Sequence, residues 1–336
     1  MLVTICTIRQ LPQAFALANS FVQYAATNKP ASVLIGLADD PAHLPAGFVS
    51  PYPLLPIREL LSDEQLTTLS AIYTPTEFAA ACKPLLVAEA FRRYPDTDSI
   101  LYADPNIQFL APLTPVWEQL SRANVLLTPF ITQNPHDTYW PDEKFFQNVG
   151  LYSADFLALR RSPETDRLLA WWDDRVRERA YVDFCAGLCL DQIWLMHVPV
   201  FFKDTVIVRN PGWHVALWNL PERVIRQERN GWWVDGPAGQ NQPLLFLNGK
   251  GLLNPDEGFF PHQSRFHLAD RTEVSTILTQ YRQSLSKYAD LNVRNVHPAY
   301  GKKPEPMVLR GWRYATVNSL RAITRFLDQV PLPVIR

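Results

Sequence analysis

A few short stretches of this chain combine residue types that can do chemistry. Residues 100–109, ILYADPNIQF, begin and end like a buried β-strand but carry Asp104, Pro105 and Asn106 in the middle. A carboxylate placed there has a large desolvation cost unless a cation or hydrogen-bond donors meet it. Side chains two residues apart on such a turn point to the same side, so Asp104 and Asn106 would offer two oxygen ligands to one point. Hard divalent cations such as Mg²⁺ or Mn²⁺ take oxygen ligands and neutralise diphosphates. Further along, Asp191 and Gln192 interrupt the apolar, helix-like GLCLDQIWLMHVPVFF, where an ionised Asp is rarely buried unpaired. Lys83 directly precedes Pro84, which suits the first turn of a helix, an end that favours phosphate.

Other reactive residue types read as packing. Cys185 and Cys189 lie four apart and would share a helix face, but no second Cys/His pair completes a zinc site. Together with Cys6 and Cys82 they read as reduced, buried thiols. His214, His262 and His267 lack ligand spacing and read as structural. Trp213, Trp218, Trp232 and Trp233 offer flat faces to a sugar, but ten tryptophans in a large core need no such role.

These residues must be held by a scaffold, and the hydropathy pattern indicates which. LVTICTI is rich in β-branched residues, the segment to about Thr27 has helical apolar spacing, and ASVLIGLADDP is a second apolar run ending in acids. Strand, helix, strand argues for a mostly parallel sheet, and such sheets bind ligands at the carboxyl ends of their strands. IRELLSDEQLTTLSAIY and PTEFAAACKPLLVAEAFRRY read as helices, DSILYADPNIQFLAPL as strand, acidic turn and strand, and ANVLLTPF and DFLALRR as strands. SPETDRLLAWWDDRVRERA reads as a helix with Leu168, Leu169 and Trp172 facing inward. GLCLDQIWLMHVPVFF reads as helical to about His197, and residues 206–247 as short strands. The expected fold class is α/β: a mostly parallel central sheet flanked by helices, followed by a C-terminal helical extension.

The 336 residues, 47% apolar and 19% charged, describe a globular chain with one large domain and an appendage. A formal net charge of −1 supplies no long-range field for nucleic acid. The N-terminus lacks the signature of a signal peptide and no run reaches membrane-spanning length, which together predict a cytoplasmic protein. Past residue 269 the character turns helical. Over residues 301–336, Lys302, Lys303, Arg310, Arg313, Arg321, Arg325 and Arg336 outnumber Glu305 and Asp328, an excess of five positive charges. Such a helix either packs with its arginines in water or docks peripherally on anionic lipid at the inner face of the membrane.

YADPNIQF resembles the D-x-D strand of nucleotide-sugar-dependent glycosyltransferases of GT-A fold. ICTIRQLPQAFALANSF, ACKPLLVAEAF, DFLALRRSPE, GLCLDQIWLMHVP, RNPGWHVALWNLPER and PHQSRF agree with that group in order, so the resemblance covers about residues 2–267. Within it the chain is most similar to the retaining, glycogenin-like and galactosyltransferase-like enzymes. The resemblance implies a GT-A-like domain over residues 1–268 with a basic helical extension over 269–336. Its expected substrates are a nucleoside-diphosphate sugar donor and a glycan or glycolipid acceptor. It gives Lys83 a role at the diphosphate, Asp104 one at donor and metal, and Asp191 and Gln192 a place beside the donor sugar.

The departures from that pattern carry information too. Asn106 stands where a second metal carboxylate is usual. Ser153, Ala154 and Asp155 replace Asn-x-Gly, unless Asn148, Val149 and Gly150 take that place through a shift. Phe246, Gly249 and Leu252 replace the late H-x-x-G-x-x-K, and Lys250, two residues out of register, is the candidate substitute for the lost lysine. Fewer ligand charges predict weaker Mn²⁺ or Mg²⁺ binding. Three arrangements stay open: a donor held by Lys83, Lys250 and arginines without metal, a weak metal site on Asp104 and Asn106, or loss of transfer. The last would make the chain a nucleotide- or glycan-binding scaffold. A sugar nucleotidyltransferase is disfavoured, because no Gly-rich phosphate loop follows LVTICTI.

Overall fold

The computed structural model of the chain describes residues 1–26, 30–236 and 241–329. Its strands are β1 Leu2–Cys6, β2 Val33–Leu37, β3 Leu54–Pro56, β4 Ser99–Ala103, β5 Ile107–Phe109, β6 Val125–Pro129 and β7 Tyr152–Arg160. There follow β8 Val182–Asp183, β9 Leu188–Cys189, β10 Thr205–Ile207, β11 Val215–Ala216, β12 Ile225–Glu228, β13 Gly231–Asp235, β14 Asn241–Pro243 and β15 Phe246–Asn248. The helices are α1 Leu11–Tyr24, α2 Asp63–Ile72, α3 Pro75–Arg93, α4 Thr114–Leu120, α5 Glu143–Val149, α6 Pro163–Arg179, α7 Val198–Phe201, α8 Thr272–Ser286 and α9 Gly311–Gln329.

Seven strands form the central sheet in the order β10-β6-β7-β4-β1-β2-β3, and only β7 runs antiparallel to its neighbours. This is the mostly parallel, helix-flanked sheet that the hydropathy pattern predicts. Side chains alternate along β1 as strand geometry requires: Val3 and Ile5 enter the core shared with α3 and α6, whereas Leu2 and Cys6 enter the core shared with α1. Burial on both faces explains why these strands read as continuous apolar runs. A third apolar cluster joins Val215, Leu247 and Phe260 to Val274, Ile277 and Leu278 of α8.

Some element boundaries differ from the sequence reading, each for a local reason. Helix α2 begins at Asp63 because Ser62 caps it reciprocally with Gln65, leaving Ile57–Glu59 as a separate 3₁₀ turn. Cys185 and Cys189 do not share a helix face: Cys189 lies in β9 and Cys185 in the exposed turn joining β8 to β9, a hairpin at the start of GLCLDQIW. The 3₁₀ helix Gln192–His197 follows it. Helix α1 ends at Tyr24, and Thr27 lies outside the described residues.

The chain divides into one compact unit, Met1–Pro304, and a second, Glu305–Arg336. The α8 helix, assigned from sequence to the extension past residue 268, lies inside the first unit, where its buried face supplies part of the third core. The strap after α8 is bonded as well. Lys302 N donates to Ser70 O at 2.7 Å and Lys303 N to Tyr73 O at 3.1 Å. Gly301, at φ +75, brings its backbone so near the start of α3 that an added Cβ would stand 2.4 Å from Pro75 N. Both the left-handed backbone and the lack of space oppose a side chain there. Gly301→Ala is therefore expected to lower stability by more than about 1 kcal/mol, read as a lower urea midpoint at unchanged slope.

Candidate functional site

Asp104, Pro105 and Asn106 form the hinge where the chain leaves β4 of the central sheet and enters β5, which pairs with β15 in a second sheet. Most of the hinge backbone is hydrogen-bonded. Asp104 N donates to Asp155 O at 2.8 Å, Ile107 N closes the turn on Asp104 O at 3.0 Å, and Gly249 N donates to Asn106 O at 2.8 Å. Tyr281 Oη of α8 donates to Pro105 O at 3.2 Å.

Three carboxylates and two ammoniums meet at this hinge. Lys250 Nζ lies 2.7 Å from Asp104 Oδ2 and 2.6 Å from Asp155 Oδ1. Lys83 Nζ lies 2.7 Å from Asp191 Oδ2 and 3.8 Å from Asp104 Oδ1, donates to Ala154 O at 2.9 Å, and sits over the Tyr102 ring. The Lys83 to Asp191 contact is close as an ion pair, although no donor is aligned on Asp191 Oδ2. The remaining carboxylate oxygens of the hinge pair are also met: Tyr102 Oη donates to Asp104 Oδ1 and Asn248 Nδ2 to Asp155 Oδ2, both at 2.7 Å.

Burial separates the cluster into an inner and an outer part. Side-chain exposure is 5% for Lys83 and 3% for Asp191, against 17% for Asp104 and 23% for Lys250, so an incoming ligand reaches the latter pair first. Burial and then the neighbouring Asp155 push the Asp104 carboxyl up. At Asp155 burial acts the same way, but Lys250, a hydrogen bond with Asp104 and Lys83 together outweigh it and hold that carboxyl down to about 2. Burial also raises Asp191, with Lys83 opposing.

Four of the residues singled out in the sequence, Lys83, Asp104, Asp191 and Lys250, therefore lie in one network. Lys83 is not in the first turn of its helix. Thr74 caps α3 with Glu77, Pro75 occupies the first turn, and Lys83 reaches inward from mid-helix with Pro84 inside the helix. Asp191 is anchored through its carbonyl, which accepts from Trp172 Nε1 of α6 at 2.9 Å. Gln192 turns elsewhere: its buried amide donates to Val149 O at 2.7 Å. Asn106 is 7% exposed and joins the site through its backbone. Trp213, Trp218 and Trp232 are core residues and offer no open face to a sugar. A recess of about 170 Å³ between α3 and α6, lined by Leu85, Ala88, Asp166, Leu169, Ala170 and Asp173, lies away from this chemistry.

The donor set does not fit the divalent ion expected on Asp104 and Asn106. Every oxygen of Asp104 and Asp155 already has a donor, and the point both carboxylates face holds the Lys250 ammonium. Among the described residues no group of three His, Cys, Asp or Glu side chains is arranged to hold a metal.

No protein-family model matches the chain. It is 22% identical over 288 residues to an uncharacterized protein of Bacillus subtilis (strain 168), YfnF, covering 84% of this chain and 90% of that one. A second uncharacterized protein of the same organism, YfnD, is 18% identical over 232 residues, covering 68% and 71%. Among solved structures, the apo form of mouse xyloside xylosyltransferase 1 aligns with a TM-score of 0.37 and 12% identity, over 64% of this chain and 87% of that one. That score is too low to bear on the fold described above.

The sequence reading missed Asp155, Asn248 and His214 as members of the site. An acid in the otherwise apolar YSADFLALR was the available signal for Asp155, but its partner is fixed only by the antiparallel pairing of β4 with β7. His214 is buried between Thr128 Oγ1, 2.7 Å from Nδ1, and Asn248 Nδ2, 3.3 Å from Nε2. The Asn248 amide nitrogen can only donate, so Nε2 accepts and Nδ1 carries the proton.

Burial first, then Lys250, lower the His214 pKa from 6.5 to about 3. Between those values the unfolded chain binds a proton that the folded chain does not, so stability falls as pH drops through that window. Urea unfolding from pH 7 to pH 5 should show this fall, at most about 1.4 kcal/mol per pH unit from this group. His214→Asn should have a flatter pH slope, whatever its absolute stability, and an unchanged slope would refute the assignment.

Proposed function

We propose that this chain is a glycosyltransferase that moves a sugar from a nucleoside-diphosphate donor to a glycan or glycolipid acceptor with retention of configuration. The observation that carries this reading is the convergence of Lys83, Asp104, Asp191 and Lys250 at the carboxyl end of β4, the sheet edge where open α/β folds bind ligands. The sequence resemblance to GT-A enzymes points to the same four residues and supports the same reading.

In the reaction the anomeric C–O bond to the diphosphate breaks, and its electron pair leaves on the phosphate oxygen. The acceptor hydroxyl oxygen forms the new bond on the same face, and its proton passes to that phosphate oxygen. The protein acts by position and charge. Asp104 and Lys250 face the donor, while the buried Asp191 holds Lys83 against the inner side of Asp104 and so has a positioning role. The committed amide of Gln192 gives it the task of shaping the wall behind them.

Calorimetry with UDP, GDP and dTDP, followed by hydrolysis assays on the matching donor sugars, tests this reading. One nucleotide is expected to bind and its donor to be hydrolysed. Asp104→Asn should slow hydrolysis at least about 100-fold. Binding without turnover would favour the scaffold alternative, whose physical support is that the inner acid and amide are already engaged.

The second unit fits a peripheral, cytoplasmic-face membrane contact. No helix among the described residues is long and apolar enough to cross a membrane. On α9, however, Trp312, Leu320, Ile323, Phe326 and Leu327 are all exposed and fall within about one third of the helix circumference at 100° per residue. Arg313 borders that stripe, and Arg321 and Arg325 stand on the opposite, polar face, the division of a basic helix that lies in an anionic interface. Lys302 and Lys303 belong to the first unit, and Arg336 lies outside the described residues. The full chain should float with vesicles containing phosphatidylglycerol and not with pure phosphatidylcholine. Arg321→Glu with Arg325→Glu should cut the bound fraction at least about tenfold, roughly 1 kcal/mol per basic residue near the surface.

A further inference from the structure

The cation at the hinge is part of the chain. Lys250 Nζ lies 2.7 Å from Asp104 and 2.6 Å from Asp155, in the space a divalent ion bridging those carboxylates would need. A second cation there would face both the ammonium and carboxylate oxygens already engaged by Tyr102 and Asn248.

The lysine is held from both sides. Its own N–H donates to Asn248 Oδ1 at 3.0 Å. The preceding Gly249 N–H donates to Asn106 O at 2.8 Å, which ties the lysine loop to the hinge. An ammonium has three donors, and two are spent on Asp104 and Asp155. Side-chain exposure of 23% leaves the third free to meet a ligand. Lys83, by contrast, is 5% exposed and spends its ammonium on Asp191 and Ala154.

We propose that Lys250 replaces the divalent cation of this site: its ammonium both bridges the Asp104/Asp155 pair and meets the leaving diphosphate, so donor binding needs no metal. This inference rests on the sugar-transfer reading and specifies how the leaving group is stabilised in it. A fixed lysine supplies one positive charge where a metal would supply two. The site then depends on the lysine's placement more than on ion concentration, and chelators should have no effect.

Two measurements on the full chain test it. In the first, Mn²⁺ alone is titrated and the free ion is followed by electron paramagnetic resonance. Wild type and Lys250→Arg should take up no Mn²⁺ at millimolar concentration, whereas Lys250→Met, which leaves the paired carboxylates without their cation, should bind it at least about tenfold more tightly. Uptake by wild type that disappears in Asp104→Asn would overturn the proposal.

In the second, UDP, GDP and dTDP binding is compared in EDTA and in Mn²⁺. The expected result for the bound nucleotide is less than a twofold change in wild type, at least a tenfold loss in Lys250→Met, and partial recovery of that loss with Mn²⁺. Nucleotide binding abolished by EDTA would overturn the lysine proposal and leave the transferase reading standing, whereas no nucleotide binding under either condition would overturn both. Should Lys250→Met fail to fold by circular dichroism, the wild-type arms still decide.

Discussion

The site depends on the cost of keeping three carboxylates next to one another below the protein surface. Charges in such a place are expensive unless paired in good geometry with their remaining hydrogen-bonding capacity filled. Here the pairing comes from two lysines far apart in sequence, Lys83 from the middle of α3 and Lys250 from the loop after β15. Neither lysine serves one acid alone. Lys250 bridges Asp104 and Asp155, and Lys83 lies between Asp191 and the inner oxygen of Asp104, so removing either ammonium would leave two acids short of compensation.

The surrounding fold meets that constraint. The antiparallel insertion of β7 brings Asp155 opposite the end of β4, and the backbone bond from Asp104 N to Asp155 O fixes the separation of the two carboxylates. The β5 to β15 pairing then draws the Lys250 loop over the hinge. Behind it, Asn248 orders a short buried chain from Asp155 to His214 and Thr128, the last lying at the bulge where the pairing of β6 with β7 shifts register. Polar networks of this kind tolerate few vacancies, because each unpaired member would bear its full desolvation cost.

Much of this was legible in the sequence. The parallel sheet follows from β-branched runs separated by helical spacing, and the hinge from an acid, a proline and an amide inside a strand pattern. The importance of Lys250 was visible only through the resemblance, where its position was two residues out of register. Its place at the hinge is set by the pairing of β5 with β15, which no local pattern in the sequence shows. The depth of Lys83 was misjudged because the Lys-Pro pair imitates a helix start, while the actual start is set eight residues earlier by the reciprocal Thr74 and Glu77 cap. Asp155 stayed unassigned because strand register over long sequence separation leaves no local trace. The boundary after Pro304 was missed for a similar reason: α8 has the ordinary apolar stripe of a surface helix, and only its tertiary contacts show which core it completes.

Asp39 is fully buried at the end of β2, where its carboxylate accepts from Ile8 N, Asp40 N and, across 260 residues, Ala299 N at 2.8 Å. One side chain thus joins the first βα turn to nearly the last segment of the first unit. During synthesis that third donor does not exist until almost the whole unit has been translated. The carboxyl ends of the first two strands must wait with the Asp39 carboxylate open to water on one side, and final closure of this edge becomes a late event in folding on the ribosome.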